Sequence, residues 1–569
     1  MATPNALRKT RPKAVDLMSH AAANAEETLR QMDELDDPGT LVRALEPFDL
    51  LLTWNAADDE HKSTLLLHAE KHQTDLLTDL SCWHGDTPDI EKVEALFGPL
   101  VLSGPTGAQR ALDLLRDELR TLVLKRNFRV HVLENRNDDL VVPDTSELIS
   151  CPDGHYFIEL PDPDQVTDEE RALLQGLLLR PFEEYQPELE CIRHDLPSEL
   201  TENAYRWHTG RLADYGFSTQ EEARSLLMPM TAEELRRAAD AAEPIVRFPS
   251  ELTLPVLYRD NLHGNDFLDA VLEIIRTSDD SEITHRADTL NAELAAMTNL
   301  YLSAAGVEIS DLEAVTGGIC WARDLLALGL SEAANGDEDE AARLLTVLSP
   351  GRFVHCAFGA LYPLQKRART LLGDKKLIPP GRRGAIFDPP YHIGLSCLSR
   401  EIPCHWPGMD TTDQPAHSLF EPAAKDLAAF SSHKQIAKIE RLLEETEQLP
   451  SLLFDALGCE QPPVRGTPAS VLVMTALANA AAGREPTVKP ILREEANVFA
   501  AEMLPLNEEQ LLADALSVLT PLVYSDMRTA EDDADDPDPM KRLLIRLIRI
   551  GRARLAADAP ERGLLIESF

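Results

Sequence analysis

The sequence predicts a mainly α protein, a multi-lobed helical array or superhelix with a small β element inserted into it. Three observations carry that expectation. Leu, Ala, Glu and Arg dominate, while Phe, Trp and Tyr make up only 5% of the chain, a composition that suits helices better than sheets. Helix-start signatures recur, and the segments behind them place apolar residues at helical spacing. Short polar breaks separate these segments, which implies neighbouring antiparallel helices as in bundles and solenoids.

Taken in order, residues 1–24 read as a flexible basic tail carrying Arg8, Lys9, Arg11 and Lys13, without the apolar run of a secretory signal. Residues 25–125 read as an N-terminal helical domain. Residues 126–160 break the pattern: Arg129–Glu134 and His155–Leu160 alternate or are β-rich, with 135–139 and Pro152-Asp-Gly154 as turn material, so two to four strands are expected. A central helical domain, 161–378, follows. Thr167 and Glu170, Thr219 and Glu222, and Thr231 and Glu234 have the spacing that satisfies two orphan backbone donors at a helix start, as do Asn507 and Gln510 further on. Within the domain, Leu325, Leu326, Leu328 and Leu330, then Ala341, Leu344, Leu345 and Leu348, fall at helical spacing on either side of Asn335-Gly336-Asp337. Residues 379–423 are rich in Pro and Gly and too long for a routine connector, so a wrapped segment or lid is expected there. A C-terminal helical domain, 424–525, precedes an acidic linker and a basic amphipathic helix in 526–569. In that helix Arg542, Arg546, Arg549 and Arg552 form one stripe and Leu543, Leu544, Leu547 and Ile548 another.

The 569 residues carry 97 acidic and 55 basic side chains, a net charge of −42, while 44% are hydrophobic. That much apolar material excludes wholesale disorder, and the charge argues against nucleic-acid binding because phosphates would be repelled. No run of about 18 uncharged apolar residues exists, so no transmembrane segment is expected. Eight scattered cysteines are too sparse for a disulfide framework, and a cytoplasmic location follows as the default.

Few residue groups point to chemistry. His61, His68, His72 and Asp75 would share one stripe of a continuous helix, a spacing that suits a transition metal. His392, Cys397, Cys404 and His405 offer zinc-type ligands within fourteen residues, although the two cysteines are further apart than the usual pair and adjacent Cys404 and His405 would struggle to reach one ion. Surface or core histidines and buried thiols are the plainer reading of both groups. No nucleophile elbow, P-loop or dinucleotide fingerprint occurs, so no cofactor is expected and no catalytic residue can be named. The arginine stripe of the last helix could meet an anionic membrane, a partner's groove or the acidic body of the chain itself.

Several segments resemble those of an uncharacterised bacterial family, catalogued as a domain of unknown function. They are Leu35-Asp-Asp-Pro-Gly39, Asp79-Leu-Ser-Cys-Trp-His-Gly-Asp86, Glu199 to Trp207, Gly210-Arg-Leu-Ala-Asp-Tyr-Gly-Phe217, Leu328-Gly-Leu330 and Phe387-Asp-Pro-Pro390. The likeness covers about residues 30–525 and implies a mainly helical bacterial protein with no assigned reaction. The first hundred residues also resemble the helical cytosolic domain of MgtE-type magnesium transporters. In the most specific segment, Arg211 and Asp214 are spaced to pair along a helix, and Phe217 after Gly216 can staple its end.

The function this predicts is a non-enzymatic protein-interaction scaffold or regulatory component, with an unidentified protein as its partner. Two alternatives stay open. One is a metal-dependent hydrolase with its site near residues 379–422. The other is a peripheral membrane protein held by the C-terminal helix.

Overall fold

The computed structural model describes residues 25–133, 147–160, 166–241, 258, 261–278, 281–309, 311–378, 386–407, 423, 426–460, 467–524, 538–558 and 563–566. The expected basic tail, nearly all of the acidic linker and much of the Pro/Gly-rich stretch lie outside them. The chain is mainly α-helical, with one two-stranded and one three-stranded sheet among the described residues. No helix among them is long and apolar enough to cross a membrane. The chain divides into two compact units. The first comprises Met1–Leu226, Pro244–Arg323 and Thr346–Gly351, and the second Leu227–Glu243, Asp324–Leu345 and Arg352–Phe569.

In the first unit, helix starts follow side-chain chemistry. Asp58 accepts from the His61 backbone N–H at 2.9 Å to open Asp59–His68, and Asp89 accepts from Lys92 at 3.1 Å to open Ile90–Leu102. Thr167 and Glu170 close a reciprocal box at Asp168–Leu178. Asp59–His68 packs on Ile90–Leu102, and Ile90–Leu102 packs on both Pro105–Leu114 and Asp168–Leu178. Helices Pro105–Leu114 and Asp168–Leu178 approach closely at Gly176, where a Cβ would lie 2.6 Å from the Gln109 backbone nitrogen. Any side chain there would force the pair apart.

The predicted β element is a three-stranded antiparallel sheet. Tyr156–Leu160 lies between Arg129–Val132 and Glu147–Ser150, with Ile158 opposite both Val130 and Ile149. Its turn forms where Pro152-Asp-Gly154 placed it: Gly154 has φ +67° and the Asp153 carboxylate accepts from the His155 and Tyr156 backbone. A second, smaller hairpin, Trp83–His84 with Thr87–Pro88, turns through Gly85 at φ +60°.

In the second unit, Ala469–Ala481 is mostly apolar, and every residue from Ala469 to Asn479 is buried, the polar Ser470, Thr475 and Asn479 included. The C-terminal helix, Pro539–Asp558, packs against it and also against His433–Glu447 and Glu508–Val523. Gly551 makes this contact close, since a Cβ there would meet the Met474 side chain at 2.2 Å. Leu543, Leu544, Leu547 and Ile548 are fully buried, each contributing about 2 kcal/mol. Past the helix, the Leu565 carbonyl accepts from the Ile491 N–H and its own N–H donates to Thr475, both at 2.9 Å. The stretch expected to be irregular contains a helix, Pro389–Ser399. Its two leading prolines occupy positions where the missing N–H would have had no partner.

Candidate functional site

The first unit carries a groove of about 980 Å³ at the junction of Asp59–His68, Ile90–Leu102, Asp117–Asn127 and Asp168–Leu178. Val93, Phe97, Val101, Leu115, Val123 and Leu173 form its floor. Leu102 stands at its edge with 55% of its surface exposed. Among the described residues, five carboxylates line it, from Asp59, Glu60, Glu94, Glu169 and Glu170, against the single cation Arg126. Arg126 is itself paired with Glu91 at 2.9 Å, and its hydrogen bond to Glu91 raises its pKa further. Among the described residues Asp59, Glu60 and Glu169 form no ion pair, so their charge faces the groove and solvent. No sequence pattern announced this site, because its walls come from these four helices and from Ala111 of Pro105–Leu114.

The most specific sequence segments meet elsewhere in the same unit, in a buried polar network. Asp79 ends helix Lys71–Ser81, while His208 and Arg211 lie one turn apart on Pro197–Asp214. Arg211 donates two hydrogen bonds to the Asp79 carboxylate, at 2.7 and 2.9 Å, and one to Glu118 at 2.9 Å. His208 Nδ1 lies 3.1 Å from Asp79, and its ring stacks on Trp83 of the small hairpin at 3.8 Å. The Asp79 side chain is 2% exposed. Burial opposes the Arg211 cation, but its bonds to Asp79 and Glu118 prevail and raise its pKa. The expected Arg211–Asp214 pair is therefore not formed: Asp214 is exposed, and the bidentate partner is 132 residues away in sequence. The helix end is stapled as expected. Gly216 has φ +82°, Phe217 donates to the Leu212 carbonyl at 2.9 Å, and the Phe217 ring is buried.

With Asp79 accepting two bonds from Arg211 and a third contact from His208, this network ties helices together rather than presenting a reactive group. None of its members lines the groove. Removing one partner from such a pair costs about 3–5 kcal/mol, because the other is left buried and uncompensated.

The metal-ligand candidates do not converge. Helix Asp59–His68 stops before the next begins at Lys71, so no single stripe joins His61, His68, His72 and Asp75. His61 contacts Asp58 and Asp33, His68 lies against Gly39, His72 faces Glu70 at 3.5 Å, and Asp75 takes a 2.8 Å bond from Arg116. Of the second set, Cys397 and Cys404 are neighbours. The Cys404 thiol donates to the Cys397 carbonyl at 3.6 Å. The proximity of the two thiols lowers the Cys397 pKa and raises that of Cys404. His405 turns its ring toward Phe430, 5.1 Å between centroids, and burial lowers its pKa. His392 sits half-buried on Pro389–Ser399. Among the described residues no three His, Cys, Asp or Glu side chains are placed to hold a metal ion.

The arginine stripe of the last helix pairs with the chain's own groups, Arg549 at the exposed surface. Arg542 bonds Glu444 at 2.6 Å, Arg546 lies 3.3 Å from Glu445, Arg549 bonds Glu508 at 2.7 Å, and Arg552 donates to the Leu504 and Leu506 carbonyls. Tyr391 donates to Glu445 at 2.9 Å beneath Arg546. Two residues beyond the stripe, Arg554 reaches the fully buried Asp388 at 3.2 Å, which also accepts from the Ser470 N–H and hydroxyl. These guanidinium groups hold the helix to the body of its own unit.

No curated protein and no solved structure matches the chain, magnesium transporters included. A family model does match, from residue 7 to residue 534, slightly beyond both ends of the likeness read from the sequence. The chain belongs to the DUF6178 family, a family of unknown function.

Proposed function

We propose that this protein is a non-enzymatic interaction scaffold or regulatory component of the cytoplasm, and that its docking site is the groove of the first unit. The observation that carries the reading is a contrast within the molecule. The buried carboxylates of Asp79 and Asp388 are already engaged by Arg211, Ser470 and Arg554, whereas the groove joins an apolar floor to carboxylates without ion-pair partners among the described residues. Apolar concavities with a few placed polar groups are what binding sites are made of.

The test uses the intact chain and a Gly98→Phe variant. Gly98 lines the groove, and a Cβ built on it meets nothing within 4 Å, so a side chain can start there without a clash and is expected to obstruct the groove. The expected result is a stoichiometric protein that co-purifies from native lysate with the wild type and is lost with the variant. Recovery of no such partner, or of one indifferent to the plug, would overturn the reading.

A further inference from the structure

We infer that the groove receives a basic amphipathic helix presented by a partner protein. This rests on the docking reading above and adds the chemistry of the occupant. Charge is the first argument. Asp59 and Glu60 stand in the first turn of Asp59–His68, and Glu169 and Glu170 in the first turn of Asp168–Leu178. Acids at these positions favour their own helix starts, and Glu170 is engaged in its capping box. Two separate helix starts nevertheless bring their acids to one groove, which Glu94 also lines. The resulting field repels nucleic acid, anionic headgroups and acidic peptides, and draws in Lys and Arg.

The second argument is the apolar lining. A purely polar cation would gain nothing from Leu102, which is 55% exposed at the edge above the buried Phe97, Val101 and Leu173. An occupant with an apolar stripe flanked by cations uses both features. A helix presents apolar side chains at i, i+3, i+4 and i+7, and insertion of such a face into a groove is a recurring mode of peptide recognition.

The third argument is the chain's own use of this arrangement. In the second unit, a basic amphipathic helix lies with Leu543, Leu544, Leu547 and Ile548 buried and Arg542, Arg546 and Arg549 on Glu444, Glu445 and Glu508. The groove repeats that pairing of apolar floor and carboxylates.

The inference is tested by fluorescence anisotropy with the full chain and a labelled synthetic peptide of about 16 residues, with Leu at helical spacing and Lys on the other face. Controls are a scrambled peptide and one with Glu in place of Lys. The basic amphipathic peptide is expected to bind, and added salt to weaken it. Gly98→Phe is expected to weaken it by about tenfold or more, as is Glu60→Lys combined with Glu169→Lys. Leu102→Lys, a change at an exposed side chain that removes apolar surface and adds repulsion, gives a second route to the same loss if the plug perturbs folding. Equal binding of the acidic or scrambled peptide, or binding that all these variants leave unchanged, would overturn the inference. Binding that appears only after deletion of residues 1–24 would also overturn it, in favour of the chain's own basic arm as occupant. If the lysate partner is lost with Gly98→Phe yet the peptide does not bind, the helix class fails while the docking reading stands.

Discussion

The groove of the first unit and the seat of the C-terminal helix in the second are built from the same two materials, apolar side chains and carboxylates. They differ in where the carboxylates lie. In the seat, Glu445 and Asp388 are 1% and 0% exposed, and each is held by guanidinium and hydroxyl donors. A buried carboxylate without such partners would cost several kcal/mol, so the seat requires its occupant for the unit to be stable. At the groove, Asp59, Glu60 and Glu169 are exposed, and water satisfies them when nothing else does. The difference separates a permanent contact from an exchangeable one: burial of the acids makes the partner part of the fold, while exposure lets it come and go.

The comparison breaks first at Arg554. Arg554→Ala leaves Asp388 buried and unpaired, and is expected to lower stability by about 3–5 kcal/mol in chemical denaturation of the full chain. Retained stability would mean that the seat does not depend on charge pairing. Gly551→Leu drives a side chain into Met474 and is expected to cost about 1–3 kcal/mol in the same measurement, unless the terminal helix is free to shift away.

A pH series sharpens the same point. Burial raises the Asp388 pKa above the ordinary 3.8, against the pull of Arg554 and Ser470. The stability linked to a raised carboxyl pKa is fully present below the unfolded value and is lost as pH rises through the folded one. The advantage of the wild type over Asp388→Asn is therefore expected to be greatest in acid and to shrink toward neutral pH. A difference that grew with pH would contradict the assignment. At the groove the expected effects on stability are smallest: Glu60→Gln and Glu169→Gln should each change it by less than about 0.5 kcal/mol, since both side chains are solvated. A large loss at either would mean that the rim is structural.

What could be read from the sequence follows from distance along the chain. The Thr167 and Thr231 boxes, the Pro152–Gly154 turn and the two stripes of the last helix involve residues a few positions apart, and each forms as local chemistry dictates. At the Thr219 start the hydroxyl accepts from the Glu222 N–H and donates to the Glu222 carboxylate, and at the Asn507 start the side chain accepts from the Gln510 N–H, so neither closes the full reciprocal box. The networks around Asp79 and Asp388 join residues 132 and 166 positions apart, beyond the reach of any local pattern. One signal did exist: Leu200, Ala204 and His208 are the buried residues of Pro197–Asp214, and Arg211 continues their stripe, so polar side chains extend an inward face. The histidine stripe failed for a local reason, because Ala69 and Glu70 break the helix between His68 and His72. The Pro389-Pro390 pair was read as irregular chain, although proline at a first helical turn marks a start. The groove itself left no trace in the sequence. Its floor residues look like any helical core, and its acids like any helix N-terminus.

The measurement that tests the central claim most directly is hydrogen–deuterium exchange of the full chain with and without the basic amphipathic peptide. Added protection is expected in Asp59–His68, Ile90–Leu102 and Asp168–Leu178, the walls of the groove, with His433–Glu447 and Ala469–Ala481 unchanged. Protection confined to His433–Glu447 and Ala469–Ala481 would contradict it, because the peptide would then be replacing the chain's own terminal helix rather than entering the groove.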